Sequence, residues 1–328
     1  MMRLEDRPRP YISIVFSGRN DNFGGDFNER FFRALRFNHD KLRQADVTHE
    51  FVFVEWRPLD DRSYLATKLV DDRIVPEHLL ASYVVDVRYH DAFSLNPRLQ
   101  FQEFIAKNVG IRRAAGRWVL TTNTDIYLSR AIVDKLAAQS LDERTLYRAE
   151  RRDIKSGCDL TVLDWALLED ERNCDVINTI RPPFFTNASG DFLLLDRDSY
   201  HELRGFNEVY RLAKIHIDSN LCYKAHSVGM PIVNIGAPVY HVGHGTLNSH
   251  AVRYRDRPGD APWGNIYWNN QIVYVNPADW GLACAPARRL DATTTYLEFD
   301  WNAVPPVANL RGVVLPGVRK GQTTGVIT

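Results

Sequence analysis

Two spacings of apolar residues alternate along the first half of the chain. Short β-branched or aromatic runs at residues 11–16 (YISIVF), 51–54 (FVFV) and 118–121 (WVLT) predict buried strands. Apolar residues at helical spacing over residues 27–42 and 99–115 predict helices between these strands. Strand–helix alternation of this kind predicts an α/β fold, with a mostly parallel sheet flanked by helices.

The second half of the chain is less regular. Residues 192–195 (FLLL) and 232–235 predict two further strands, and the apolar positions of residues 221–228 predict a helix. Beyond them the periodicity is lost in sequence rich in Trp, Asn and Pro. We therefore expect one domain over residues 1–245 and an irregular C-terminal extension over residues 246–328 that packs on it.

Composition and charge narrow the class of protein. The 328 residues carry a formal net charge of zero, with 45% hydrophobic and 25% charged residues. A balanced charge argues against a nucleic-acid-binding protein, and the absence of a run of about 18 apolar residues argues against a transmembrane segment. The four cysteines are widely spaced and match no zinc or redox motif, so we expect reduced thiols in a cytoplasmic protein.

Polar residues follow three of the predicted strands. Ser17 follows the first strand, Glu55 the second and Asp125 the third. The carboxyl ends of parallel strands meet at one edge of the sheet, where ligands bind. A carboxylate on a turn after a buried strand is suited to hold a divalent cation against a diphosphate. Such a cation acts as a Lewis acid toward a leaving diphosphate.

The sequence before the third strand carries a more specific pattern. Residues 107–117 (KNVGIRRAAGR) follow the order N-x-G-x-x-x-A-x-G, ahead of the apolar strand and Asn123-Thr124-Asp125. This pattern resembles glycosyltransferases of the GT-A type, especially the large inverting, family-2-like group that makes bacterial polysaccharides. That group has D-x-D after the strand, so Asn123 replaces the first aspartate and Asp125 retains the metal-binding one.

The resemblance continues along the chain in family order. Residues 189–192 (SGDF) resemble the glycine-containing loop beside the donor sugar, and residues 205–208 (GFNE) resemble the G-G-F-D-E turn. Residues 217–222 (IDSNLC) resemble E-D-x-D-L-C. The similar segments cover roughly residues 11–245. They imply a GT-A type, Rossmann-like fold, a nucleotide-sugar donor and a divalent cofactor, Mn²⁺ or Mg²⁺.

The resemblance also implies roles for single residues. Asp218 maps onto the base that deprotonates the acceptor hydroxyl, and it also stands where an aspartate caps a helix. Asp125 and a histidine hold the metal, with His241 the first candidate, His244 the second, and Asn123 assisting. The residues implied in contacts with the donor are Ser17, Arg19, Asn20, Glu55, Lys107, Asn108, Arg112, Asn123, Gly190 and Asp191.

The implied function is sugar transfer from a nucleotide-sugar, with UDP favoured, to a glycan, glycolipid or small-molecule acceptor. Inversion follows if Asp218 is the base, although retaining GT-A enzymes share the fold and the metal site. Two alternatives stay open: a sugar nucleotidyltransferase, and a GT-A protein that binds nucleotide or glycan without transfer. An oxidoreductase that uses a dinucleotide is disfavoured, because no G-x-G-x-x-G follows the first strand.

Two further features each allow two interpretations. The charged run at residues 148–152 (RAERR) is typical of an exposed segment of mixed charge, and the alternative is a phosphate contact. The Trp and Asn residues of positions 263–270 are suited equally to an acceptor site, formed by the C-terminal extension, and to packing on the core.

Overall fold

The computed structural model describes residues 9–94, 97, 99–178, 180–209, 211, 217–243 and 274–305. Its strands are β1 Ile12–Gly18, β2 His49–Trp56, β3 Leu80–Val85, β4 Trp118–Thr121, β5 Ile126–Leu128, β6 Leu146–Ile154, β7 Cys174–Asn178, β8 Leu193–Asp196, β9 Ile232–Val242, β10 Ala287–Arg289 and β11 Thr294–Leu297. Its helices are α1 Phe27–Gln44, α2 Leu65–Asp71, α3 Val87–Phe93, α4 Glu103–Arg113, α5 Arg130–Ala137, α6 Trp165–Leu168, α7 Arg197–Leu203 and α8 Ile217–Ser227.

The strands form one sheet in the order β10-β11-β3-β2-β1-β4-β8-β6-β9-β5, with β7 paired to β6. Strands β11, β3, β2, β1 and β4 are parallel to their neighbours in this central block. Strand β8 runs antiparallel to both β4 and β6, and β6 and β9 are parallel to each other. The predicted α/β fold, with its parallel central sheet and flanking helices, is confirmed.

Local sequence explains several of these elements. Strand β4 has the bounds that its apolar run predicts, and its four residues are buried. Ser129 caps α5 by accepting a hydrogen bond from the Ile132 backbone N–H. A methyl group added to Gly110 of α4 would lie 2.5 Å from Val15 Cγ1. The glycine therefore allows α4 to pack closely against β1.

The last described segment contributes to the sheet. Strand β11 pairs with β3 in parallel and β10 pairs with β11, so residues 287–297 form one edge. Sequence periodicity did not predict these two strands. The proposed domain boundary at residue 245 stays a prediction, since residues 244–273 lie outside the described residues.

The interpretation of residues 148–152 as an exposed segment is wrong. These residues belong to β6, which lies between β8 and β9, and the Arg148 side chain is fully buried. Arg148 and Arg151 are tolerated within the sheet because they hydrogen-bond to residues 185–191. Among the described residues, no helix combines the length and the apolarity needed to cross a membrane.

Candidate functional site

Polar groups from seven segments converge at the carboxyl end of β4. Asn123 and Asp125 lie on the turn between β4 and β5, and Gly190 and Asp191 lie on the short 3₁₀ helix before β8. His241 is on β9, where it pairs with Ile126 of β5. Helices α1, α4 and α8 and strand β6 supply the remaining members of the group described below.

Lys107 fixes the orientation of Asn123. The buried Lys107 Nζ donates to Glu103 Oε1 at 2.8 Å and to Asn123 Oδ1 at 2.9 Å. The Asn123 amide then donates from Nδ2 to Asp191 Oδ1 at 2.7 Å. An ammonium group only donates, so the amide oxygen must face Lys107 and the amide nitrogen must face Asp191. Asn123 thus couples the turn after β4 to the segment before β8.

Arg151 extends this network to β6. Its Nη1 lies 3.3 Å from Asp191 Oδ2, and its Nε and Nη2 donate to Asp153 at 2.6 Å and 3.0 Å. Burial raises the pKa of Asp191, an effect that the Arg151 charge opposes. Burial also raises the pKa of Asp153, but hydrogen bonds from His241 and Arg151 prevail and hold that pKa well below its usual range.

Asp153 in turn orients His241. The Nδ1 atom of His241 lies 3.1 Å from Asp153 Oδ1. A carboxylate beside Nδ1 accepts a hydrogen bond from the proton on that nitrogen, so in the neutral ring the lone pair lies on Nε2. That nitrogen lies 3.6 Å from Asp125 Oδ1. Arg30 donates to the other oxygen of Asp125 at 2.7 Å, which holds the carboxylate in place.

The Asp125–His241 pair fits a divalent cation. A carboxylate oxygen and an imidazole nitrogen face each other, both groups are buried, and both are ligands that Mn²⁺ accepts. Among the described residues, no group of three or more His, Cys, Asp or Glu side chains is arranged to hold a metal. Within the described residues this pair would supply two side-chain ligands, as in sites where Mg²⁺ is shared with substrate phosphates.

Asp218 lies beside this network on the first turn of α8. Its Oδ2 accepts hydrogen bonds from Ser189 Oγ at 2.8 Å and from the Gly190 N–H at 2.7 Å. The described residues form no hydrogen bond to the other oxygen, Oδ1, and the residue is only partly buried. Asp218 is therefore a carboxylate that is held in place through its Oδ2 atom.

Ser17 and Arg19 lie at the same edge of the sheet. Ser17 Oγ donates to the backbone carbonyl of Glu103 at 3.3 Å, and the side chain of Glu103 forms the ion pair with Lys107. Arg19 Nε donates to the Arg57 carbonyl at 2.9 Å. Their predicted contacts with a donor stay predictions. His244 lies outside the described residues.

Four other predicted donor-binding residues bond to the protein itself. Asn20 bonds through both ends of its amide to the backbone of residues 59–63, and the two Glu55 oxygens accept the Leu65 and Ala66 N–H groups. Asn108 bonds to Phe206 and Glu208, and Arg112 bonds to the carbonyls of Ala278 and Trp280. These contacts make all four residues part of the scaffold, and direct contact with a donor stays a prediction.

Sequence reasoning missed four residues of the site. Arg30 is on α1, and Arg148, Arg151 and Asp153 are on β6. The two-residue spacing of Arg151 and Asp153 is a signal that could have identified these two, since residues i and i+2 share a face of a strand. No comparable signal marked Arg30, because a single arginine on an amphipathic helix is ordinary.

Fold and site together define an α/β protein with an acidic, histidine-containing site at the carboxyl edge of its sheet. No family model matches the chain, and no curated protein matches it. A solved structure of GalNAc-T7 with UDP, GalNAc and Mn²⁺ is similar at 13% identity, covering 72% of this chain and 44% of that one, with a TM-score of 0.47.

A second similar structure is the catalytic domain of Drosophila beta1,4galactosyltransferase 7 in complex with xylobiose. It is 12% identical, covers 90% of this chain and 97% of that one, and has a TM-score of 0.45. Because both TM-scores are below 0.5, the activity, substrate and metal of this chain must be argued from its own residues.

Proposed function

We propose that this protein is a metal-dependent glycosyltransferase that moves a sugar from a UDP-sugar to a hydroxyl group of a glycan, glycolipid or small molecule. One observation carries the proposal: the Asp125–His241 pair and the fixed carboxylate of Asp218 lie at one edge of the sheet, joined through Asn123, Asp191 and Gly190. This arrangement supplies both functions that the reaction needs, charge neutralisation for the leaving diphosphate and a base for the acceptor.

Asp125 and His241 are the residues that would hold Mn²⁺ or Mg²⁺. A cation bound there supplies Lewis-acid neutralisation of the leaving nucleoside diphosphate. Arg30 and Asp153 keep the two ligands in place through Asp125 Oδ2 and His241 Nδ1. This support leaves Asp125 Oδ1 and His241 Nε2 directed toward each other.

Asp218 is the proposed base. Its Oδ2 is held by Ser189 and Gly190, and its Oδ1 takes the proton of the acceptor hydroxyl. The acceptor oxygen forms a bond to the anomeric carbon as the bond from that carbon to the diphosphate breaks. The electron pair of the broken bond leaves with UDP. Attack from the side opposite the leaving group inverts the anomeric centre.

The first prediction concerns Asp218→Asn. UDP release from a panel of UDP-sugars with Mn²⁺, with water and added sugars as acceptors, should fall by a factor of 10² or more, about the usual contribution of a general base. Donor affinity should stay within about threefold of wild type, because the metal ligands are unchanged. The matched control is Asp198→Asn, since Asp198 is exposed on α7 and pairs only weakly with Arg197 at 3.9 Å.

Three other outcomes would each contradict a part of the proposed function. Full activity in the Asp218→Asn variant would show that this carboxylate is not the base. Donor binding without UDP release in the wild type would favour a non-catalytic GT-A protein. Release of pyrophosphate from UTP and a sugar 1-phosphate would favour the nucleotidyltransferase.

A further inference from the structure

The guanidinium group of Arg148 is fully buried in β6, with 0% of the residue exposed. It donates from Nε to the Phe185 carbonyl at 3.0 Å, from Nη2 to the Asn187 carbonyl at 3.0 Å, and from Nη1 to the Ser189 carbonyl at 3.1 Å. All three acceptors belong to residues 185–189. A buried charge is costly unless it is hydrogen-bonded, so this segment and Arg148 stabilise each other.

The charge of Arg148 acts on the carboxylates of the site. Within the part of the chain that the structure describes, no carboxylate forms a direct ion pair with it. Burial lowers the pKa of Arg148, while Cys222, Asp218 and Asp191 oppose that shift. Arginine remains protonated under all ordinary conditions. A permanent buried cation therefore lies within electrostatic range of Asp218.

The segment that Arg148 holds is the one that holds Asp218. The hydroxyl group of Ser189 and the backbone N–H of Gly190 donate hydrogen bonds to Asp218 Oδ2. Both residues lie at the end of the segment that Arg148 holds. The planar guanidinium group fixes the directions of its three hydrogen bonds, and therefore the relative positions of the three carbonyls. The ammonium group of a lysine does not fix these directions. The position of both donors to Asp218 thus depends on Arg148.

We propose that Arg148 is a positioning residue for Asp218, acting through residues 185–190; this inference rests on the proposed function of Asp218 as the base. Loss of the guanidinium group releases the segment and lets the carboxylate leave the orientation needed to accept the proton. The Asp125–His241 pair has its own supports, Arg30 and Asp153, so donor binding persists.

The kinetic test compares Arg148→Met and Arg148→Lys with wild type. We expect kcat to fall on the order of 100-fold in Arg148→Met, as for a displaced catalytic group. Arg148→Lys keeps the charge and should recover part of the loss, and the donor KM should stay within about threefold in both variants. The matched control is Arg152→Met on the same strand, because Arg152 Nε has no hydrogen-bond partner in the described part of the chain.

A double variant separates a positioning role from a general loss of structure. If Arg148 acts through Asp218, then Arg148→Met with Asp218→Asn should be about as slow as Asp218→Asn alone. Additive losses, a raised donor KM, or an unchanged kcat in Arg148→Met would overturn the proposal.

Hydrogen exchange provides a readout that needs no activity. In Arg148→Met, peptides covering residues 185–191 should exchange faster than in wild type, while the Arg152→Met control should exchange as wild type does. Unchanged exchange in that segment would overturn the positioning role. Faster exchange in a protein whose wild type transfers no sugar would instead place the failure in the proposed function.

Discussion

At the scale of single residues, Asn123 is specified by its neighbours. Its oxygen accepts from Lys107 and its nitrogen donates to the buried Asp191, so the position requires both an acceptor and a donor. An aspartate supplies only acceptors. The departure from D-x-D at this position therefore has a structural reason, and Asp125 with His241 remains the proposed ligand pair.

Restoring D-x-D should accordingly weaken the fold. We expect Asn123→Asp to lower the free energy of unfolding by about 1–3 kcal/mol, because the new carboxylate repels Asp191 and loses the hydrogen bond. Chemical denaturation at neutral pH measures the change. The matched control is Asn234→Asp, since Asn234 Oδ1 accepts from the Gly236 N–H at 2.9 Å and an aspartate keeps that bond. Equal losses in both variants would contradict this reasoning.

At the scale of elements, Glu55 connects the end of β2 to the beginning of α2. Its two oxygens accept the Leu65 and Ala66 N–H groups, at 2.9 Å and 3.0 Å, in place of a capping residue. Burial raises the pKa of Glu55 to about 7, although these two hydrogen bonds lower it. A carboxyl group with a raised pKa binds its proton more tightly in the folded state than in the unfolded one.

This pKa predicts how α2 responds to pH. Between about pH 4.5 and pH 7 the contribution of Glu55 to stability falls as pH rises, because unfolding then releases the proton. The stability difference between wild type and Glu55→Gln should therefore favour wild type most at pH 5 and shrink by up to about 3 kcal/mol at pH 8. Denaturation at both pH values, with the half-buried Glu298→Gln as control, measures this change in the free energy of unfolding. A difference independent of pH would contradict the prediction.

Strand β6 shows which elements the sequence did not predict. Its residues LYRAERRDI lack apolar alternation, because Arg148, Arg151 and Asp153 bond to the segment before β8 and to His241. Strand β4 was predicted with its observed bounds, because all four residues are buried and apolar or small. Periodicity therefore identifies strands that only pack, and it fails for a strand whose side chains form the site.

At the scale of the whole molecule, the apolar runs predicted the central sheet, and local motifs singled out several residues that the structure brings together. Asn123, Asp191, Asp218 and His241 converge, although about 120 residues separate the first from the last along the sequence. The addition of β10 and β11 beside β3 was not predictable, because pairing over such sequence distances leaves no local signal. The capping of α2 by Glu55 was not predictable either, because a glutamate at the end of a strand is equally suited to contact a nucleoside.

The proposed function requires that a nucleotide bind at this edge of the sheet through a metal held by Asp125 and His241. Calorimetric titration of UDP, GDP and UDP-sugars, with Mn²⁺ and then with EDTA, measures this binding. We predict that a uridine nucleotide binds with Mn²⁺, that EDTA weakens its affinity by about tenfold or more, and that Asp125→Asn removes the difference. Binding that ignores EDTA would contradict the metal site, and no binding of any nucleotide would contradict the account as a whole.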